Sequence, residues 1–352
     1  MPLRDDVLKS LCLAEHPFSP ERDPIRNREF RDKKLSLLST LKMFDHPELA
    51  DYYVRVGGFD QAAKRAEDAL DANHFPTPGQ QPPVVLIQGN AAVGRSSFAE
   101  YLAYRLRAKW EAAFPGNVPT LQRIKIEGEN IARLMYRIKI YLRDHTDLNS
   151  VAGAARLYKR WEDDGGANEP NESQLESLFG DLADAMQDAP PLILIIRTIT
   201  YERMGWIARL GTRLTAMNVI PIFITDSRLV STLVASEQPS VVALALAPLD
   251  SAQAQQFVEQ RINTFRKPGC AHGHKALDPF DPITLTNAFE GRAQGLGVRF
   301  FIEVMCGAFE EFLKDLGGKL NDPGYKPAST DLLVQWRHVS DGYRRRLSPG
   351  GQ

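Results

Sequence analysis

A loop bounded by two glycines carries the residue types that bind phosphate. Its residues are Gly89, Asn90, Ala91, Ala92, Val93, Gly94, Arg95, Ser96 and Ser97. Gly89 and Gly94 permit backbone conformations that strain other residues, so the amides between them can converge on one anion. A helix that begins here directs the positive end of its dipole at the same point, and the Ser96 hydroxyl is positioned to bind Mg²⁺. The pattern predicts a site for a nucleotide's phosphate chain.

The spacing of this loop matches the P-loop pattern G-x-x-x-x-G-K-[ST] except at the lysine, which is Arg95. Arginine keeps the positive charge and can bind phosphate through two N–H groups. Its planar head differs from the compact ammonium that fits between the β- and γ-phosphates. We therefore expect binding to survive the change better than hydrolysis. A strand-to-helix turn without a ligand is the alternative interpretation of the same glycines.

A second departure concerns the acid that nucleotide hydrolysis requires. In P-loop enzymes an acidic residue at the end of a neighbouring strand helps to hold the metal ion. The corresponding buried run, residues 192–196, is followed here by Arg197 and Thr198 instead of Asp and Glu. Together with Arg95, this absence of carboxylates predicts weak or no hydrolysis.

Five short apolar runs predict the strands that would position the loop, at residues 84–87, 121–126, 192–196, 219–224 and 241–246. Helical spacing of apolar residues occurs at 97–113, 251–265, 283–290, 298–316 and 330–345. Strands that alternate with helices imply parallel neighbours, because parallel strands need a long crossover connection. The predicted fold is α/β, a five-stranded parallel sheet flanked by helices.

Composition divides the chain into three predicted parts. Residues 1–80 form a helical N-terminal segment and linker, since helical spacing covers 60–72 and prolines crowd the stretch that follows. Residues 81–248 contain the predicted sheet and its loop. Residues 249–352 show only helical patterns, which predicts an all-helical C-terminal domain.

The order of these motifs resembles the AAA+ class of P-loop ATPases, near its origin-recognition-like and STAND-type branches. Thr225 and Asp226, at the tip of the fourth strand, resemble the position that senses the γ-phosphate in that class. Arg228 resembles an arginine that STAND relatives carry just afterwards, and Arg299, at a helix start, resembles a second sensor arginine. A plainer interpretation stays open, in which Thr225 and Asp226 end a strand and Arg299 lies on the surface.

The resemblance implies a protein that holds ATP or another nucleotide, with Mg²⁺, between the core and a helical lid. It also implies assembly as a homo-oligomer or with a protein partner. With degenerate motifs, such a pseudo-ATPase would be regulatory or scaffolding. One alternative is an active ATPase that assists transposition, replication initiation or defence, with Asp226 as a displaced acid. The other is an interaction module with an empty pocket.

Composition disfavours several other classes of protein. The 352 residues include 43 Lys and Arg against 44 Asp and Glu, and the net charge of −1 favours neither nucleic acid nor an anionic membrane. No apolar run approaches the roughly 20 residues that span a bilayer. Cys12, Cys270 and Cys306 are too few for a disulfide framework, so we expect a cytoplasmic protein.

Overall fold

The structure is a computed structural model of the chain, which divides into two compact units. It describes residues 8–9, 11–19, 40–72, 83–90, 93–116, 118–126, 191–198, 211, 214–215, 219–226, 241–268, 280, 282–289 and 297–316. The first unit comprises Met1–Asp60, Asn90–Ser97 and Ala247–Gln352, and the second comprises Gln61–Gly89 and Phe98–Leu246. Ala91, Ala92, Arg228 and the helix predicted at 330–345 lie outside the described residues.

The second unit contains a five-stranded, all-parallel sheet in the order β2-β3-β4-β1-β5. Its strands are β1 (Val84–Gly89), β2 (Thr120–Ile126), β3 (Leu192–Thr198), β4 (Val219–Asp226) and β5 (Val241–Leu246). This architecture confirms the predicted α/β, P-loop-like fold and all five predicted strands. The interior strand β1, between β4 and β5, is buried along its whole length, which explains its continuous apolar sequence.

Five α-helices are defined among the described residues. They are α1 (Gly58–Ala72), α2 (Arg95–Ala113), α3 (Ser251–Thr264), α4 (Pro282–Phe289) and α5 (Val298–Leu316), and a 3-10 helix covers Pro47–Tyr52. These bounds confirm the helices predicted at 60–72, 97–113, 251–265, 283–290 and 298–316. No helix among the described residues is long and apolar enough to cross a membrane.

Helix α2, which begins at the glycine loop, is fixed in the second unit by charged contacts. Glu100 is only 2% exposed, and its two carboxylate oxygens accept hydrogen bonds from Arg123 of β2, one of them from Nη2 at 2.8 Å. Farther along, Arg105 pairs with Glu67 of α1 at 3.0 Å and Lys109 pairs with Asp71. Because both pairs advance by four residues on each helix, α1 and α2 run parallel.

In the first unit, helix α3 begins with a complete capping box. The Asp250 carboxylate accepts a hydrogen bond from the Gln253 backbone at 2.8 Å, and the Gln253 side chain accepts one from the Asp250 backbone at 3.3 Å. These bonds satisfy two N–H groups that a helix start leaves without intrahelical partners. They fix the point at which the chain leaves the sheet and becomes helical.

The N-terminal residues 11–19 pack on the helices of the first unit. Leu13 forms an antiparallel bridge with Arg266, just after α3. His16 is fully buried, and its Nδ1 accepts hydrogen bonds from the backbone of Phe18 and Ser19 at 3.1 and 3.0 Å. The Phe18 ring lies 6.1 Å from that of Phe309 in α5. Residues 11–19 are therefore part of the core of this unit.

The cysteines differ in state. Cys12 is disulfide-bonded and has a positive φ of 54°, whereas Cys306 is a free, buried thiol. The sequence predicts no disulfide framework, and it gives no signal for this single bond.

Candidate functional site

The glycine loop has the strand–loop–helix arrangement that its sequence predicts. Gly89 is the last residue of β1 and Arg95 is the first residue of α2. Asn90 is exposed, and its carbonyl accepts a hydrogen bond from the Val93 backbone at 3.4 Å, while the Val93 side chain is fully buried. The loop thus ends at the start of a 19-residue helix, where the helix dipole favours an anion.

Gly94 is required by both conformation and space. Its φ is +96°, a region that L side chains rarely adopt. A Cβ built at this position would lie 3.3 Å from Cε1 of Phe59 and 3.9 Å from Cβ of Val298. Glycine therefore suits this path better than any residue with a side chain, and the contacts identify which elements of the first unit lie against the loop.

One of those elements is residues 40–59, a segment whose role the sequence analysis does not predict. Its Leu41 backbone N–H donates a hydrogen bond to Oγ of Ser97 at 3.2 Å. The segment buries a row of apolar side chains, namely those of Leu41, Met43, Phe44, Leu49, Val54, Val56 and Phe59. The Ser97 hydroxyl, predicted to contact phosphate, thus accepts a backbone bond from this segment. A concentration of apolar residues over 41–59 was the available sequence signal.

A second such element is the start of α5. Val298, which approaches Gly94, is its first residue, and Arg299 follows in the first helical turn. The Arg299 side chain is 54% exposed, and its Nε donates a hydrogen bond to Oε1 of Glu303 at 3.1 Å. The first unit therefore brings Arg299, predicted as a sensor, close in the fold to the glycine loop. It also pairs that arginine with Glu303, which the sequence analysis does not single out.

In the second unit, the carboxyl ends of β1 and β4 lie side by side. The parallel register pairs Thr225 with Gln88 and Asp226 with Gly89. Thr225 and Gln88 are 2% and 1% exposed, so two polar side chains are buried on neighbouring strands immediately before the loop. The predicted sensor position thus shares the sheet end from which the loop emerges. Gln88 is a further polar residue there that sequence reasoning missed.

The position of the missing acid carries a cation. Arg197 lies next to Ile224 in the β3–β4 register and is exposed, and Thr198 is the last residue of β3. An arginine here cannot bind a metal ion, and its charge opposes one electrostatically. Among the described residues, no group of three or more His, Cys, Asp or Glu side chains could hold a metal.

Neither the protein-family models nor the curated proteins include a match to this chain. Among solved structures, the chain is similar to the Aeropyrum pernix ORC2 protein in its ADPNP–ADP complexes, with 14% identity over 84% of this chain and 71% of that one and a TM-score of 0.45. It is similar to Drosophila ORC bound to DNA, with 14% identity over 82% of this chain and 70% of that one and a TM-score of 0.36. The chain is also similar to C. elegans PCH-2, with 12% identity over 82% of this chain and 68% of that one and a TM-score of 0.34. At these TM-scores, inference about function depends on the site.

Proposed function

We propose that this chain is an AAA+-like nucleotide-binding protein that acts as a regulatory or scaffolding subunit and hydrolyses ATP weakly or not at all. The observation that carries the proposal is Gly94. Its positive φ closes a strand–loop–helix turn of P-loop spacing, and the helix start that bears Arg299 packs against it. We infer that the helix dipole, Arg95 and Arg299 together favour a phosphate chain at this turn.

Two residues support binding without efficient turnover. Arg95 replaces the lysine that would lie between the β- and γ-phosphates, and the guanidinium cannot reproduce that point charge. Arg197 replaces the acid at the end of β3. Phosphoryl transfer depends on positioning and on neutralising charge at the metal. Both replacements remove groups that would position the phosphates and the metal ion for transfer, while the loop glycines and the helix start remain.

Assembly with further subunits or with a protein partner is part of the same proposal. Its support is the resemblance of the motif order to AAA+ proteins, in which the nucleotide lies near subunit contacts. Light scattering of the purified chain, with and without ATP and Mg²⁺, tests this aspect. A nucleotide-dependent increase in mass would support it, and an unchanged monomer under both conditions would contradict self-assembly.

Calorimetric titration of the full chain with ATP and Mg²⁺ tests nucleotide binding. We expect saturable binding that Arg95→Ala weakens by about tenfold to a hundredfold, the effect of losing charge-assisted hydrogen bonds. Arg107→Ala is the matched control, because Arg107 lies on the same helix and pairs with Glu111 at 2.7 Å. It should leave the affinity unchanged. No heat of binding with the folded wild-type chain would refute the proposal.

Phosphate release separates weak turnover from the alternatives. We expect a rate near the background of the assay, both in the wild type and in Ser96→Ala. Turnover that Ser96→Ala abolishes would instead favour an active ATPase, and salt-dependent DNA binding would direct that activity to a DNA transaction. A folded chain that binds no nucleotide would favour the interaction-only module.

A further inference from the structure

The pair between Arg299 and Glu303 lies within the unit that contains the glycine loop. Arg299 Nε donates to Oε1 of Glu303 at 3.1 Å, and Glu303 is 19% exposed against 54% for the arginine. The less exposed carboxylate is thus the more fixed partner. The residue before Arg299 is Val298, whose Cβ would lie 3.9 Å from a Cβ at Gly94. The pair is therefore close to the phosphate loop.

The geometry of this pair contributes little to helix stability. An arginine followed four residues later by a glutamate has the less favourable orientation relative to the helix dipole, and exposed pairs of this kind add little to stability. Its electrical effect is larger than its structural one. The carboxylate offsets part of the guanidinium's charge, so the start of α5 presents less positive charge to an anion than a lone arginine would.

We propose that Glu303 competes with a bound nucleotide's phosphates for Arg299 and thereby sets a low nucleotide affinity. This inference rests on the proposed function. When a phosphate approaches, the guanidinium must leave the carboxylate or share it, and the weakening of this ion pair opposes binding. Glu303 is thus a residue that tunes affinity through Arg299, and it favours release and exchange of the nucleotide.

The test compares ATP affinities of the wild type, Glu303→Gln, Arg299→Ala and the double variant by calorimetric titration. Glu303→Gln keeps the shape of the side chain and a hydrogen-bond acceptor but removes the charge. We expect it to tighten binding by about twofold to fivefold, the size of one exposed ion pair that the nucleotide no longer has to displace. Arg299→Ala should weaken binding, and Glu303→Gln should have no effect in its background.

Glu111→Gln is the matched control, since Glu111 pairs with Arg107 in the same order, four residues apart, at 2.7 Å. It lies 16 residues after the start of α2, about 24 Å along the helix axis. Its removal should leave ATP affinity unchanged. Circular dichroism and the melting temperature of each variant establish that the fold is intact.

Each outcome supports or overturns the inference. Tighter binding only when Arg299 is present supports it. Unchanged or weaker binding by Glu303→Gln overturns it, and so does equal tightening in the Arg299→Ala background, which would reflect general charge. If Arg299→Ala binds ATP like the wild type, the inference fails while the proposed function stands. If the folded wild type binds no ATP, both fail.

Discussion

Gly94→Ala is the substitution that most directly tests the conformation of the phosphate loop. The alanine would have to adopt a φ of +96°, at which an L side chain strains the backbone by about 1–2 kcal/mol. Its Cβ would also lie 3.3 and 3.4 Å from two atoms of the Phe59 ring. Displacing that ring within a packed core adds about 1 kcal/mol. We therefore expect a total destabilisation of about 2–3 kcal/mol.

Gly116→Ala provides the comparison that separates strain from crowding. Gly116 has a φ of +89°, and a Cβ there would meet nothing within 4 Å. Its substitution should cost the backbone strain alone. In thermal unfolding of the full chain, Gly94→Ala should therefore be less stable than Gly116→Ala by about 1 kcal/mol, or roughly 2–4 °C in Tm. In a Phe59→Leu background this excess should decrease, because the contact is then relieved.

Calorimetric titration with ATP and Mg²⁺ measures how Gly94→Ala and Gly116→Ala change nucleotide binding. A loop that cannot keep its path misplaces the amides that hold phosphate, so Gly94→Ala should weaken binding by about tenfold or more. Gly116→Ala should bind like the wild type. The reasoning is refuted if Gly94→Ala binds ATP normally, or if the two alanine variants lose equal stability and equal affinity.

Three further predictions concern contacts that support the site. Arg123→Ala leaves the buried Glu100 carboxylate without its bidentate partner. Chemical denaturation should show that the free energy of unfolding falls by about 2–3 kcal/mol, whereas removing an exposed ion pair costs under about 0.5 kcal/mol. A decrease as small as that of an exposed pair would contradict the pairing. Ser97→Ala removes the acceptor of the Leu41 N–H and should lower the free energy of unfolding by about 1 kcal/mol. Hydrogen exchange at the Leu41 amide should become faster, and an unchanged exchange rate would contradict the prediction. Asp250→Ala removes an N-cap and should cost about 1 kcal/mol in the same denaturation assay, whereas Asp250→Asn should cost little.

Local chemistry made much of this molecule predictable. A strand buried on both faces requires a continuous apolar run, and β1 has one. Helix α5 has the predicted bounds, Val298–Leu316, because its apolar spacing is regular throughout. The glycine loop is recognisable from spacing alone, since only glycine suits the path at position 94. Such features depend on residues adjacent in the chain.

Contacts between distant residues were not predictable in the same way. Leu41 and Ser97 are 56 positions apart, and no local pattern specifies that one amide should donate to that hydroxyl. The segment 40–59 lies against the loop only because the fold brings its buried apolar side chains there. The burial of Gln88 beside Thr225 likewise follows from the register of two strands that are distant in sequence.

The sequence by itself determined which residues can form a phosphate-binding turn and which strands and helices surround it. It also specified the replacements at Arg95 and Arg197, because charge and hydrogen-bonding capacity belong to the residue type. Only the tertiary structure decided that the start of α5 packs against Gly94 and that the Leu41 amide donates to Ser97. Proximity in space depends on the packing of the whole chain, and periodicity and spacing along the sequence do not contain it.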